Sequence, residues 1–413
     1  MQLYTILTII ISICALFAYI NARLIKLPPA IGIMVLSLLF SVLLITAGKL
    51  VPSFTATVVQ MVGAINFHRL LMQVMLSFLL FAGSIHINAA ALRKQLLPVA
   101  LLSTLGTLLS AVIVAMLVHV LFSLFGMQVP IIYCLLFGIL ISPTDPVAVL
   151  AILKQAGIPS TLQLKIAGES LFNDGVAVVV FISLLEVAQT GTSHFSLGHS
   201  MLLFMQEAGG GLLFGFALGY AGFLLVRSID NYQVEVLITV AIVMGGYTLA
   251  DVLHVSGPLA MIVAGIVTGN TGKHHAMSET AREYLDKFWE LVDEIMNAIL
   301  FLLIGLQVLV IPTSGNLIIT GIITIGIVLL ARWISVALPV TLLRRSIKFE
   351  KHAIAILTWG GLRGGLSVAM ALSLPAEMFR SQFVAVTYIV VIFSIVVQGL
   401  TIKGFTKYLL KKE

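Results

Sequence analysis

The sequence predicts an all-α polytopic membrane protein with about 13 transmembrane helices. Of 413 residues, 60% are hydrophobic and only 10% are charged, whereas a soluble chain carries about a quarter charged residues. The apolar runs are continuous over roughly 20 residues, the length that crosses a bilayer as a helix, and do not alternate as barrel strands do. The basic residues fall almost entirely on one side of the crossing pattern that results.

The elements follow in order. The run at 3–20 lacks a basic leading segment and a small-residue cleavage site, so it reads as a retained span and not a signal peptide. Runs at 28–47, 70–89 and 95–125 are uninterrupted and apolar. The fifth span, 129–153, holds ISPTDPVAVL, in which Pro143 and Pro146 flank Thr144 and Asp145. Each proline removes a backbone donor and clashes with the preceding turn. Asp145 before Pro146 also resembles a fresh helix start, so this span is expected to be broken. The sixth span, 163–188, carries GESLFNDGVAVVVF from Gly168 to Phe181. The seventh, 201–226, places Gly211, Gly215 and Gly219 four apart, a face for close packing. The eighth and ninth, 234–253 and 256–271, are separated by little more than DVLHVSG.

Ahead of the tenth span, 288–311, charges at 279, 282, 283, 286, 287, 290, 293 and 294 recur at helical spacing, opposite Leu285, Phe288, Trp289, Val292 and Ile295. This predicts an amphipathic helix lying at the membrane surface and leading into the span. His274 and His275 just before it read as solvated loop residues. The eleventh span, 316–343, contains Arg332. The twelfth, 352–375, brackets Arg363 with Gly360, Gly361, Gly364 and Gly365, which predicts a second interruption. A thirteenth span, 381–402, closes a single membrane domain over 1–402, and 403–413 is expected as a short tail.

With the N-terminus outside, eighteen of the 23 Lys and Arg residues face the cytoplasm. Only Lys49, Arg69 and Arg380 face outward, and Arg332 and Arg363 stay within spans. This asymmetry supports the orientation, with the C-terminus cytoplasmic. The net charge of +6 is then a topology signal facing anionic lipid, not a nucleic-acid surface. Cys14 and Cys134 lie in apolar runs and read as packing thiols. His86, His119 and His254 read as packing or boundary residues.

Three carboxylates lie well inside spans: Asp145, Glu169 and Asp174. A charge at the bilayer centre costs at least about 2.5–3.5 kcal/mol on insertion scales, which makes these residues functional candidates. On a helix, Ser170 and Asp174 share one face, and Glu169 and Asn173 share the next, about 100° round. The two acids therefore meet different neighbours. The interruptions fall in the fifth span of each six-span half, the pattern of a transporter built from repeats with a midplane site. Asp145 and Arg363 would offset the ends of the half-helices. An intramembrane hydrolase with Ser170 as nucleophile would need a histidine base, and none is placed to serve it. An open channel fits less well than alternating access.

SPTDPVAV, GESLFNDGVAVVVF, FLLIGL, LLARWISV and GGLRGGLSVAMALSLP, in this order, resemble the cation:proton antiporter-1 family of bacterial sodium/proton antiporters and animal sodium–hydrogen exchangers. The resemblance spans nearly the whole chain. It implies two inverted six-helix repeats with two crossed broken helices, a homodimer in the lipid bilayer, and no cofactor or enzymatic activity. By motif match, the resemblance implies that Asp174 is the ion- and proton-binding carboxylate, with Asn173, Ser170 and Thr144 lining or supporting that ion-binding site. Glu169 and Arg332 form a structural ion pair, and Asp145 and Arg363 sit at the helix crossing.

The Asn173–Asp174 order is the type associated with electroneutral exchange of one Na+ or Li+ for one H+, serving pH and sodium homeostasis; a K+/H+ antiporter is the nearest alternative. Apart from the transported cation, no metal is expected. Some relatives carry a carboxylate where Ala82 stands here. The lack of the animal members' long tail points to a bacterial inner membrane.

Overall fold

The computed structural model describes residues 3–47, 60, 63, 67–145, 147–190, 197–272, 277–311, 315–343 and 349–411. Pro146, His274, His275, Lys49, Lys273, Arg344, Arg345, Lys348 and Lys412 lie outside the described residues. Among the described residues, helix is the only regular structure.

The first four helices are α1 (Leu3–Ile20), α2 (Pro29–Ala47), α3 (Phe67–Ile85) and α4 (Leu96–Leu124). The fifth predicted span is broken into α5 (Ile131–Ile141) and α6 (Val147–Gln155). There follow α7 (Ser160–Thr190), α8 (Met201–Arg227), α9 (Tyr232–Val252) and α10 (Gly257–Val267). Next come α11 (Glu279–Leu306) and α12 (Gly315–Leu343). The twelfth predicted span is broken into α13 (Ala353–Trp359) and α14 (Gly365–Ser373), and α15 (Arg380–Lys411) ends the chain.

Among the described residues, ten helices are long and apolar enough to cross a membrane on their own. The other three predicted crossings fall on the two broken spans and on α10. Outward-facing Leu43, Leu213, Leu237 and Leu342 are exposed, the apolar exterior that lipid solvates.

The polar stretch before the tenth span is helical and forms the first half of α11, continuous with the span. Its apolar stripe packs against protein: Leu285 and Trp289 are fully buried. The Trp289 ring lies 4.7 Å from that of Phe81, and its Nε1 donates to Thr239 Oγ1 at 3.0 Å. An aromatic body with a polar handle is held here on both counts. The expected tail is also helical, since α15 runs on to Lys411.

The glycine stripe of α8 does pack closely. A Cβ at Gly211 would come within 2.7 Å of Ser256 O, and one at Gly215 would strike the Ala260 carbonyl, so α8 and α10 meet backbone to backbone. Hydroxyls tie α2 to α11: Ser37 Oγ donates to Leu302 O at 2.8 Å and Ser41 Oγ to Gly305 O at 2.9 Å. Cys14 and Cys134 are buried and not in a disulfide.

Lys165, counted on the cytoplasmic side at the start of the sixth predicted span, has a side chain that is 1% exposed. Its Nζ donates to Glu350 Oε2 at 2.8 Å and lies 4.7 Å from the centre of the Phe349 ring, while Thr161 Oγ1 donates to Glu350 Oε1 at 2.5 Å. This clamp fastens the start of α7 to the segment before α13. Burial pushes the Glu350 carboxyl up, but the hydrogen bonds from Lys165 and Thr161 outweigh it and hold the group below its ordinary value. A carboxylate depressed in the folded state contributes stability that is complete above its unfolded value, about 4.3, and fades as pH falls through the folded value. Glu350→Gln is therefore expected to lower the unfolding temperature at pH 7, with the gap to the parent closing below about pH 4. A pH series of thermal melts in detergent checks this; a gap that is constant with pH would contradict it.

Candidate functional site

The two breaks meet. Asp145 N donates to Leu362 O at 2.7 Å, joining the segment after α5 to the segment after α13. Proline disfavours helix around residue 143, and four glycines lower its stability around 363. Glycine is required at 364 for a specific reason: an added Cβ would lie 2.5 Å from Asp145 Oδ2 and 2.7 Å from Asp145 Cβ.

Each break supplies charge to the other. Arg363 is 2% exposed. Its Nη1 donates to Pro143 O at 3.0 Å and to Ser142 O, carbonyls just past the end of α5. Helix C-termini concentrate unpaired carbonyls and negative dipole there, so a guanidinium is well placed. Asp145 lies beside Gly364, against the N-terminal end of α14, where a carboxylate is favoured. The second break is buttressed from α15. Ser394 Oγ accepts from Arg363 N at 2.8 Å and donates to Gln398 Oε1 at 2.7 Å, and Gln398 Nε2 donates to Trp359 O at 3.0 Å.

On α7 the four polar residues separate as their helical angles require. Glu169, 1% exposed, pairs with Arg332 Nη1 from α12, and Arg332 Nη2 also donates to Leu357 O of α13 at 3.2 Å. Ser170 Oγ and Thr144 Oγ1 are 3.0 Å apart, and Asn173 Nδ2 donates to Thr144 Oγ1 at 2.9 Å. Thr144, Ser170 and Asn173 are all buried and spend these polar groups on one another. They pin α7 to the first break. Asp174 itself is only partly buried, and among the described residues no hydrogen bond reaches its carboxylate.

Asp174 lines a cavity of about 260 Å³ together with Asp145, Gly364, Ser367, Asp293 and Asn297. A second cavity of about 740 Å³ is lined by His68, Met72, Val178, Glu207, Met370 and Ser373, among others. The two lie end to end along the same three helices. The first takes Leu76 of α3, Leu171 and Asp174 of α7 and Ser367 of α14. The second takes Met72, Val178 and Met370 of those helices. On α7 the two linings are separated by the four residues from Asp174 to Val178, about 6 Å of helix, and on α3 they come within one residue, with Leu71 on the first cavity and Met72 on the second. Two contacts lie beside this boundary: His68 Nδ1 is 3.0 Å from Ala369 O, and Tyr247 OH donates to Met72 O at 2.6 Å.

Asp293 and Asn297 are the cavity residues that sequence reasoning missed. Asp293 stood among the charges of a surface helix, and Asn297 drew no notice. The available signal was an amide one helical turn beyond the last charged turn, continuing the polar stripe into an apolar span. Likewise His86, read as a boundary residue, lines the first cavity and approaches Asp286 Oδ1 at 3.3 Å.

The family profile described as "Sodium/hydrogen exchanger, transmembrane" matches residues 10–408. Among similar proteins, the Na(+)/H(+) antiporter NhaP of Pseudomonas aeruginosa is 48% identical over 397 residues, covering 95% of this chain and 93% of that protein. The Na(+)/H(+) antiporter NhaH of Halobacillus dabanensis is 34% identical, covering 99% of this chain and 97% of its own. The structure of the sodium proton antiporter MjNhaP1 from Methanocaldococcus jannaschii superposes with a TM-score of 0.76 at 18% identity, over 100% of this chain and 99% of that one. At that identity the match speaks for the fold.

Proposed function

This chain belongs to the sodium/hydrogen exchanger transmembrane family, a family of transporters and not enzymes, and from that premise we propose that it exchanges a monovalent cation, sodium or lithium, for one proton through Asp174. The observation that carries the reading is the contrast among the buried charges. Glu169 is committed to Arg332 and Arg363 to the end of α5, whereas the Asp174 carboxylate opens on a cavity with no hydrogen-bonding partner among the described residues.

A carboxylate so placed takes either a proton or a small cation, and each leaves the site neutral. The empty site is charged and crosses the barrier reluctantly, because a charge without compensation is costly away from water. That single restriction yields obligatory exchange. One carboxylate carries one cation against one proton, so no net charge moves and the membrane potential does not drive turnover. Carboxylate and hydroxyl oxygens are hard donors suited to sodium and lithium. The two end-to-end cavities support alternating access: Asp174 faces one of them, and a rearrangement about one turn deep exposes it to the other. Thr144, Ser170 and Asn173 act as positioning residues that fix α7 to the break. Asp145 and Arg363 hold the crossing together as it moves.

The proposed setting is a bacterial inner membrane, with the N-terminus outside, the C-terminus cytoplasmic and the chain paired as a homodimer, serving pH and sodium homeostasis. The cavity at Asp174, which is also lined by His86 and Lys154, then opens to the cytoplasm.

The test is cation-driven pH change in proteoliposomes with the potential clamped at zero, then repeated with an imposed potential. Sodium or lithium gradients are expected to move protons at a rate that the potential leaves unchanged. A response confined to potassium would contradict the substrate, and a rate that follows the potential would contradict the stoichiometry.

A further inference from the structure

The polar face of α11 does not end where the helix enters the protein. Asp286, Glu290, Asp293 and Asn297 are spaced four, three and four apart, so they share one face of the helix. Exposure falls from Glu290 to Asn297. The Asp286 side chain is 39% exposed, Glu290 is exposed, Asp293 is partly buried and Asn297 is 5% exposed. At about 1.5 Å per residue this face descends roughly 16 Å from Asp286 to Asn297. Its lower end, Asp293 and Asn297, lines the same cavity as Asp174.

Burying an acid and an amide in a span is expensive unless both are satisfied or used. Asn297 Nδ2 donates to Asp293 Oδ1 at 3.0 Å and to Asp293 O at 2.8 Å. That fixes the amide's orientation: its nitrogen is turned to Asp293, and among the described residues no hydrogen bond is made by Asn297 Oδ1. The Asp293 carboxylate retains lone pairs beyond the one that Asn297 occupies. Two oxygen donors one helical turn apart, one anionic and one neutral, thus remain in a cavity that also presents Asp174, Asp145, Ser367, His86 and Lys154, with Leu76, Leu79 and Ala82 among its apolar residues. Hard oxygens in that number suit a partly dehydrated monovalent cation that keeps some of its water.

Building on the reading of Asp174 as the exchange carboxylate, we propose that Asp293 and Asn297 form a second binding station, where the transported cation is held before it reaches Asp174. The acidic face above it, Glu290 and Asp286, concentrates cations at the mouth by the ordinary field of clustered carboxylates. Asp293 contributes capture and selection, and Asp174 contributes the exchange. Removing Asp293 therefore affects the apparent affinity for the cation more than the maximal rate.

The experiment combines equilibrium binding of radioactive sodium to the purified chain with transport kinetics in proteoliposomes. The variants are Asp174→Asn, Asp293→Asn, the double variant and Asp293→Glu. Asp174→Asn is expected to retain weak sodium binding that the double variant loses. Asp293→Asn is expected to raise the KM for sodium by about tenfold, a larger change than in its maximal rate. Asp293→Glu keeps the carboxylate and is expected to lie nearer the parent, which separates a lost ligand from a damaged fold.

If Asp174→Asn binds no sodium while the parent does, or if Asp293→Asn keeps the parent KM, the station does not exist and Asp174 stands alone as the site. A fall in maximal rate at unchanged KM would equally overturn it. Parent protein that neither binds nor transports sodium would instead count against the reading of Asp174.

Discussion

Asp174→Asn is expected to reduce cation-driven proton exchange to the level of protein-free liposomes, while the protein still purifies as a folded, monodisperse species. The substitution keeps the shape of the side chain and removes the one property the proposal needs, a negative charge that a proton or a cation can neutralise. Stability is expected to hold or to rise slightly. The carboxylate has no hydrogen-bonding partner to lose among the described residues, and removing an uncompensated charge from a partly dry cavity relieves a desolvation cost. This separates Asp174 from Glu169 and Arg332, whose removal is expected to damage the fold. Exchange at the parent rate in this variant would move the cation to a different group.

The largest effect on stability is expected at Glu169 and Arg332. Both are buried, and they are paired across α7 and α12. Glu169→Ala leaves the guanidinium in a dry site with the Leu357 carbonyl as its described remaining partner. Removing one member of a buried pair costs about 3–5 kcal/mol. Replacing both members with neutral side chains of similar volume, Glu169→Gln with Arg332→Met, is expected to recover most of that loss. About 1 kcal/mol stays lost for each hydrogen bond to Leu357 that methionine cannot make. Thermal unfolding in detergent of the two single variants and the double variant closes the cycle. A double variant as unstable as the worse single one would mean that the pair is not coupled. A stable but inactive Glu169→Ala would place Glu169 in the transport site.

Some of this architecture is legible because it depends on local backbone chemistry. Pro143 cannot sit quietly inside a helix, and four glycines around Arg363 weaken one, so both breaks follow from residues within a few positions of them. The separation of Glu169 from Asp174 follows equally from helical angle. What local reasoning misses depends on packing between distant segments. The face of α11 that carries Asp293 and Asn297 has the same period as a surface helix, and only its contact with α3 and α9 shows that the charged end is sunk into the protein. Lys165 reads as an unpaired charge at the cytoplasmic end of a span because its partner Glu350 is 185 residues away. Thr144, Ser170 and Asn173 are expected to line or support the ion site, and what the side chains add is that they hydrogen-bond to one another.

The central claim is that one carboxylate takes a proton and a cation by turns. The most direct measurement is proton release when sodium is added to the purified chain in weakly buffered detergent solution, near the pH at which the site is half protonated. Measured in the Asp293→Asn background, where the second station is removed, the account predicts release of protons that saturates with sodium, matches the sodium bound in amount as pH is lowered, and is absent when Asp174→Asn is added. In that background, sodium binding without proton release, or release that persists once Asp174 is replaced, would contradict it.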